Sequence, residues 1–115
     1  MSSDQSFVDF IMETMAGAGK ITCRKLFGEY AIYCGGKVVA LVCDNRLFVK
    51  QTPGGRAFIG KPVEAPAYPG AKLSFLIEDK IEDRAWMGEL IRITSNELLE
   101  PKEKAKKKIR KTTNR

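Results

Sequence analysis

Residues 29–49 read EYAIYC-GG-KVVALVC-DN-RLFV, three runs of β-branched and aromatic residues cut by two two-residue loops. Gly35-Gly36 and Asp44-Asn45 are residue types that tolerate the positive φ of a type I′ turn, so the stretch predicts consecutive antiparallel hairpins. Ile21 to Phe27 extends the same pattern upstream, and Gly28, inside an extended run, predicts a bulge or sharp bend. The expected strands are 21–27, 29–34, 37–43 and 46–51.

With both loops tight, Cys34 opposes Lys37 and Cys43 opposes Arg46, and side chains alternate outward from those pairs. One face then carries Ala31, Tyr33, Val38, Ala40, Val42, Leu47 and Val49 and reads as the core side. The other carries Tyr30, Ile32, Val39, Leu41 and Phe48, with Lys37, Arg46 and Lys50 at its margins. A sheet with one solvated face alternates apolar and polar residues, and this one does not. Either a helix on each side or a second copy of the chain must cover the second face. The order of elements favours helices gathered on one side, which leaves Tyr30, Ile32, Val39, Leu41 and Phe48 as the interaction face of a homodimer.

Outside the hairpins, Phe7, Phe10, Ile11 and Met15 recur with the helical period behind an N-cap at Ser3 or Asp4. Thr52-Pro53 starts a short helix that Gly60 and Pro62 stop. Lys61 to Gly70, with three prolines, reads as a loop, and Lys72 to Ile77 as one more strand. Asp79 with Glu82 resembles a capping box for a last helix, whose stripe is Ile81, Trp86, Met87, Leu90, Ile91, Thr94 and Leu98. The fold class is therefore α+β: a two-layer arrangement with an antiparallel sheet of about five strands, in the order α-β-β-β-β-α-β-α.

The 115 residues carry a net charge of +6, but the excess is local. Residues 102–115 hold eight bases and one acid, a net of +7, which leaves −1 for residues 1–101. A domain over 1–101 and a basic, disordered tail over 102–115 follow. Lys104, Lys106, Lys107, Lys108, Arg110 and Lys111 in that tail form a cluster able to bind nucleic-acid phosphates without sequence preference. No aromatic residue interleaves with them, so base stacking is not expected.

Absent histidine removes the commonest general base and metal ligand, and with it catalytic triads and His-based zinc sites. Three cysteines without a CxxC pair fit neither a disulfide framework nor a four-thiolate site; they read as reduced thiols of a cytoplasmic protein. Buried thiols in strands are usually inert, and Cys34, next to a turn, is the one to test for reactivity. Gly17-Ala18-Gly19-Lys20 lacks the upstream glycine and following hydroxyl of a phosphate loop. The acids at 78–83 read as the first turn of a helix. With no signal peptide and no membrane-length apolar run, the expectation is a non-enzymatic module with no cofactor, metal or membrane, whose partners are a second copy and another protein.

The run Arg24-Lys25-Leu26-Phe27-Gly28-Glu29-Tyr30-Ala31, continuing through Gly36-Lys37, Ala40-Leu41-Val42, Asp44 and Leu47-Phe48-Val49-Lys50, resembles the N-terminal domain of the TfoX/Sxy family, named for a regulator of natural competence. The likeness covers about residues 5 to 98. It implies a two-layer fold with an antiparallel sheet, a bacterial cytoplasmic origin and a regulatory role without established catalytic residues. It also implies a stand-alone domain, where the full regulator carries a second, helical one. Arg24, Phe27, Gly28 and Tyr30 are the family motif, and a bend at Gly28 would present Arg24 beside the two rings.

Overall fold

A computed structural model describes residues 3–26 and 29–98. The chain begins with α1 (Gln5–Met15) and a 3-10 turn over Ala16–Ala18, followed by β1 (Ile21–Leu26), β2 (Glu29–Cys34), β3 (Lys37–Cys43) and β4 (Arg46–Val49). Then come α2 (Pro53–Ile59), β5 (Val63–Pro66), β6 (Leu73–Ile77) and α3 (Arg84–Glu97). The six strands form one antiparallel sheet in the order β1-β2-β3-β4-β6-β5.

Both hairpin loops are two residues long, with Cys34 opposite Lys37 and Cys43 opposite Arg46. Gly35, Gly36, Asp44 and Asn45 all take positive φ, the geometry that matches the twist of the flanking strands. Thr52 caps α2 by accepting from the Gly55 N–H at 3.0 Å, and Pro53 occupies the first turn, where its missing N–H costs nothing. Such a cap stabilises by about 1 kcal/mol. Gly54 and Gly55 are required here. A Cβ on Gly55 would lie 2.8 Å from the capping Oγ1 of Thr52, and one on Gly54 would overlap the Glu97 carboxylate and Ile93. The Gly54 N–H donates to Glu97 Oε1 at 2.9 Å, tying the end of α3 to the start of α2.

α3 packs against both α1 and α2, and the three helices form a single layer on one face of the sheet. Val8, Ile11 and Met15 of α1 and Met87, Leu90 and Ile91 of α3 are buried in one cluster with Tyr30, Ile32, Val42, Leu47, Val49 and Phe75. The apolar face of α3 buries Met87, Leu90, Ile91 and Thr94, while Trp86 packs on Phe58 of α2 with ring centroids 5.4 Å apart. At the far end of the layer, the Lys37 ammonium donates to the Ser95 carbonyl at 2.9 Å.

Two elements differ from the sequence expectation. Val63–Pro66, expected as part of a loop, is an edge strand, the position in a sheet where flanking prolines are tolerated because one side of the backbone needs no partner. The last helix starts at Arg84, capped by Asp83, whose carboxylate accepts from the Trp86 N–H at 3.0 Å. Asp79 therefore caps nothing: Ser, Asp and Asn compete equally well at neighbouring positions, and Asp83 lies at the spacing that reaches a free N–H.

Candidate interaction face

The ladder between β2 and β3 shifts register between Ile32 and Tyr33. Tyr33 lies opposite Val38 but Ile32 lies opposite Ala40, so Val39 is an extra residue. A bulge of this kind puts two neighbouring side chains on the same side. Val39 and Ala40 accordingly both lie fully buried in the core cluster. The consequence corrects the expected division of faces. Tyr30, Ile32 and Val39 belong to the helix-covered core, while Ala31, Tyr33 and Val38 move to the other side. Leu41 and Phe48 lie on the same side as Ala31, Tyr33 and Val38, the face that none of the described helices covers.

On that face the registers connect one residue from every strand. Arg24 is opposite Ala31, Ala31 opposite Leu41, Leu41 opposite Phe48, Phe48 opposite Leu76 and Leu76 opposite Val63. The result is a row across the whole sheet, charged at the β1 end and apolar from there on. Phe48, flanked by Leu41 and Leu76, is only 3% exposed, whereas Val63 at the open end is 61% exposed. Leu41, Leu76, Tyr33 and Val38 are half-buried. Arg46 and Glu78, 3.9 Å apart, lie to one side of the row as a solvent-exposed ion pair.

Arg24 and Tyr30 of the family motif do not lie together. Arg24 shares a face with Ala31, its cross-strand partner, so it is on the opposite side of the sheet from Tyr30. Lys25, not Arg24, lies over the Tyr30 ring, with its ammonium 6.0 Å from the centroid. Phe27 and Gly28 fall outside the described residues, as do Lys104, Lys106, Lys107, Lys108, Arg110 and Lys111 of the tail. Glu29 organises one end of the domain. Its Oε1 accepts from Ser3 Oγ at 2.7 Å and from the Asp44 N–H at 3.2 Å, and Ser3 Oγ in turn accepts from the Asn45 N–H at 3.0 Å. The Tyr30 hydroxyl donates to Gln5 Oε1 at 3.0 Å. Glu29 and Tyr30 thus fasten the start of α1 to the β3–β4 turn and to the sheet.

The thiols are unpaired. Cys34 is buried, only 4% exposed, with its sulfur 3.9 Å from the Ala18 carbonyl oxygen, so its place beside a turn does not make it accessible. Burial, with Glu29 and Asp44 nearby, pushes the Cys43 thiol above its ordinary value. Cys23 is the least buried of the three. Among the described residues no three Cys, Asp or Glu side chains gather as a metal site, and no helix is long and apolar enough to cross a membrane.

A one-layer sheet with the three described helices on one side and an apolar row on the other defines a small α+β domain. The chain belongs to the family of the TfoX N-terminal domain, whose model matches residues 13–97. It is also 37% identical over 109 residues to an uncharacterised 12.7 kDa protein encoded in the trpE 5′ region of Spirochaeta aurantia, an alignment covering 94% of this chain and 95% of that relative.

Proposed function

We propose that this domain is a regulatory interaction module that acts by contact rather than by catalysis, and that a second copy of the chain is its partner on the helix-free face. Membership of the TfoX N-terminal domain family supports a regulatory or interaction role. The observation that carries the dimer is the row Ala31, Leu41, Phe48, Leu76 and Val63 on the side away from all three helices. A two-fold contact needs only one such patch, because each copy presents the same surface. Six strands spaced about 4.8 Å apart make the row about 24 Å long. A standard interface takes about 800 Å² from each partner, so contact extends to Tyr33 and Val38 beside the row. Three unpaired thiols support a reducing, cytoplasmic setting. Leu41→Lys or Leu76→Lys, assayed by sedimentation, is expected to remove the sheet-face contact and leave a folded chain that self-associates more weakly than the parent. A variant that dimerises as well as the parent chain would exclude this face.

A second reading rests on the +7 of residues 102–115, which lie outside the described residues. As a nucleic-acid accessory, the chain would lose binding on truncation after Pro101. Its affinity would fall with salt at a slope of about −0.9 per phosphate neutralised. Binding that survives truncation or ignores salt excludes this reading.

A further inference from the structure

We propose that the free edge of β1 is a separate contact surface, on which β1 of a second copy adds antiparallel with Cys23 opposite its own counterpart and Lys25 entering an acidic groove beside α1. This contact uses a different surface from the sheet face and does not rest on that reading.

The two edges of the sheet differ. β5 is four residues long, ends in Pro66 and follows Pro62, which makes it a poor template for another strand. β1 is six residues long, contains no proline and pairs with β2 in unbroken register. The Lys20 carbonyl accepts from the Gly35 N–H at 3.0 Å, so by alternation Thr22 and Arg24 turn their backbone groups toward β2. Ile21, Cys23 and Lys25 turn theirs outward.

An added strand must match those three residues. A two-fold axis at Cys23 lets all of residues 21–25 take part, with Lys25 opposite the partner's Ile21 and Arg24 opposite the partner's Thr22. No like charges then face each other. Moving the axis to Arg24 sets the two Arg24 side chains directly opposite, which is destabilising. Moving it to Thr22 shortens the ladder to residues 21–23.

The space above the edge favours the same register. Tyr30, opposite Lys25, reaches Gln5 at the start of α1. Ile21 instead lines an open groove of about 680 Å³ with Asp9, Phe10, Met12 and Glu13, farther along that helix. Residues directly opposite in a ladder share a face. The partner's Lys25, opposite Ile21, is therefore on the helix side beside the Asp9 carboxylate; Glu13 in the same groove is already paired with Arg84 at 3.4 Å. Symmetry makes the contact twice.

Cys23 is the reporter, because its Cα would lie about 5.5 Å from that of its counterpart in a hydrogen-bonded pair. The full chain treated with a short bismaleimide is expected to give a covalent dimer that Cys23→Ser abolishes. Lys25→Glu should lower the yield about tenfold or more, the order of one lost charge pair, and Asp9→Lys in the same chain should restore it. Leu41→Lys should leave this cross-link unchanged, which separates it from the sheet-face contact. Absence of a Cys23-dependent cross-link, or a yield indifferent to Lys25→Glu in a protein whose circular dichroism melt is unaltered, would overturn the proposal.

Discussion

Ile32 lies opposite Ala40 across β2 and β3, with Val39 inserted between the paired residues. That single extra residue decides which side chains meet the helices. Without it, alternation would carry Tyr30 and Ile32 to the far side of the sheet from Val42 and Leu47. With it, all four enter the same core cluster, and Ala31, Tyr33 and Val38 face away.

The two faces should therefore answer differently to truncation. Ile32 is fully buried, and Ile32→Ala is expected to cost about 2–5 kcal/mol in urea unfolding. Val38→Ala, on the helix-free face, should cost less than about 1 kcal/mol in the monomer. Equal losses would mean that the faces are assigned wrongly.

Glu29 joins the N-terminus to the β3–β4 turn through Ser3 and the Asp44 N–H. Glu29→Ala removes an acceptor of charge-assisted hydrogen bonds, each worth about 1–2 kcal/mol net. Amide exchange should accelerate at Asp44, Asn45 and the first turn of α1 while the Phe75 and Leu90 amides keep their protection. Uniform acceleration would show global destabilisation instead.

Thiol alkylation should rank the cysteines by access. Cys23 is expected to react first. Cys43 should be slow at neutral pH, because burial and the neighbouring Glu29 and Asp44 charges all disfavour its thiolate. Glu29→Gln should raise the Cys43 rate, a shift that loss of packing alone would extend to Cys34 as well. Mass spectrometry of the labelled peptides distinguishes the two.

The Glu64 carboxylate accepts from Arg56 Nη1 at 2.9 Å and from Gln51 Nε2 at 3.0 Å, and these hydrogen bonds hold its pKa below the ordinary carboxylate value. A carboxyl that is more acidic folded than unfolded supports the fold above its unfolded pKa, and that support is lost as the pH falls through the folded value. Arg56→Ala should therefore lower the melting temperature more at neutral pH than once the carboxyl is protonated, when only its Gln51 hydrogen bond and its contact with the Phe75 ring are lost. The pair is exposed, so the difference is small.

Much of this architecture is legible in residue order, and the exceptions have physical causes. Gly35-Gly36 and Asp44-Asn45 fix the hairpins because few other residues accept positive φ, and Thr52-Pro53 fixes the start of α2. The bulge at Val39 leaves no mark because both faces are apolar: a register error exposes no polar residue to the core and buries none. The apolar row was therefore only partly legible: Leu41 and Phe48 share the face to which residue order assigns them, while Ala31 falls on the face opposite its assigned one and Leu76 and Val63 belong to strands whose place in the sheet residue order does not give. β5 hid behind prolines that matter only in a central strand. The fastening role of Glu29 is not legible in the sequence because its partners, Ser3 and Asp44, are distant in sequence and come together only when the sheet forms. Arg24 and Tyr30, close in sequence, are parted by strand alternation.

Sedimentation velocity over a concentration series tests the sheet-face dimer most directly, with the parent chain run beside Leu41→Lys. With Lys25→Glu in both chains to remove the β1 edge contact, the parent is expected to move from monomer to dimer as loading rises, and the Leu41→Lys chain to stay monomeric with an unchanged circular dichroism melt. A parent chain that remains monomeric at high micromolar loading would contradict it.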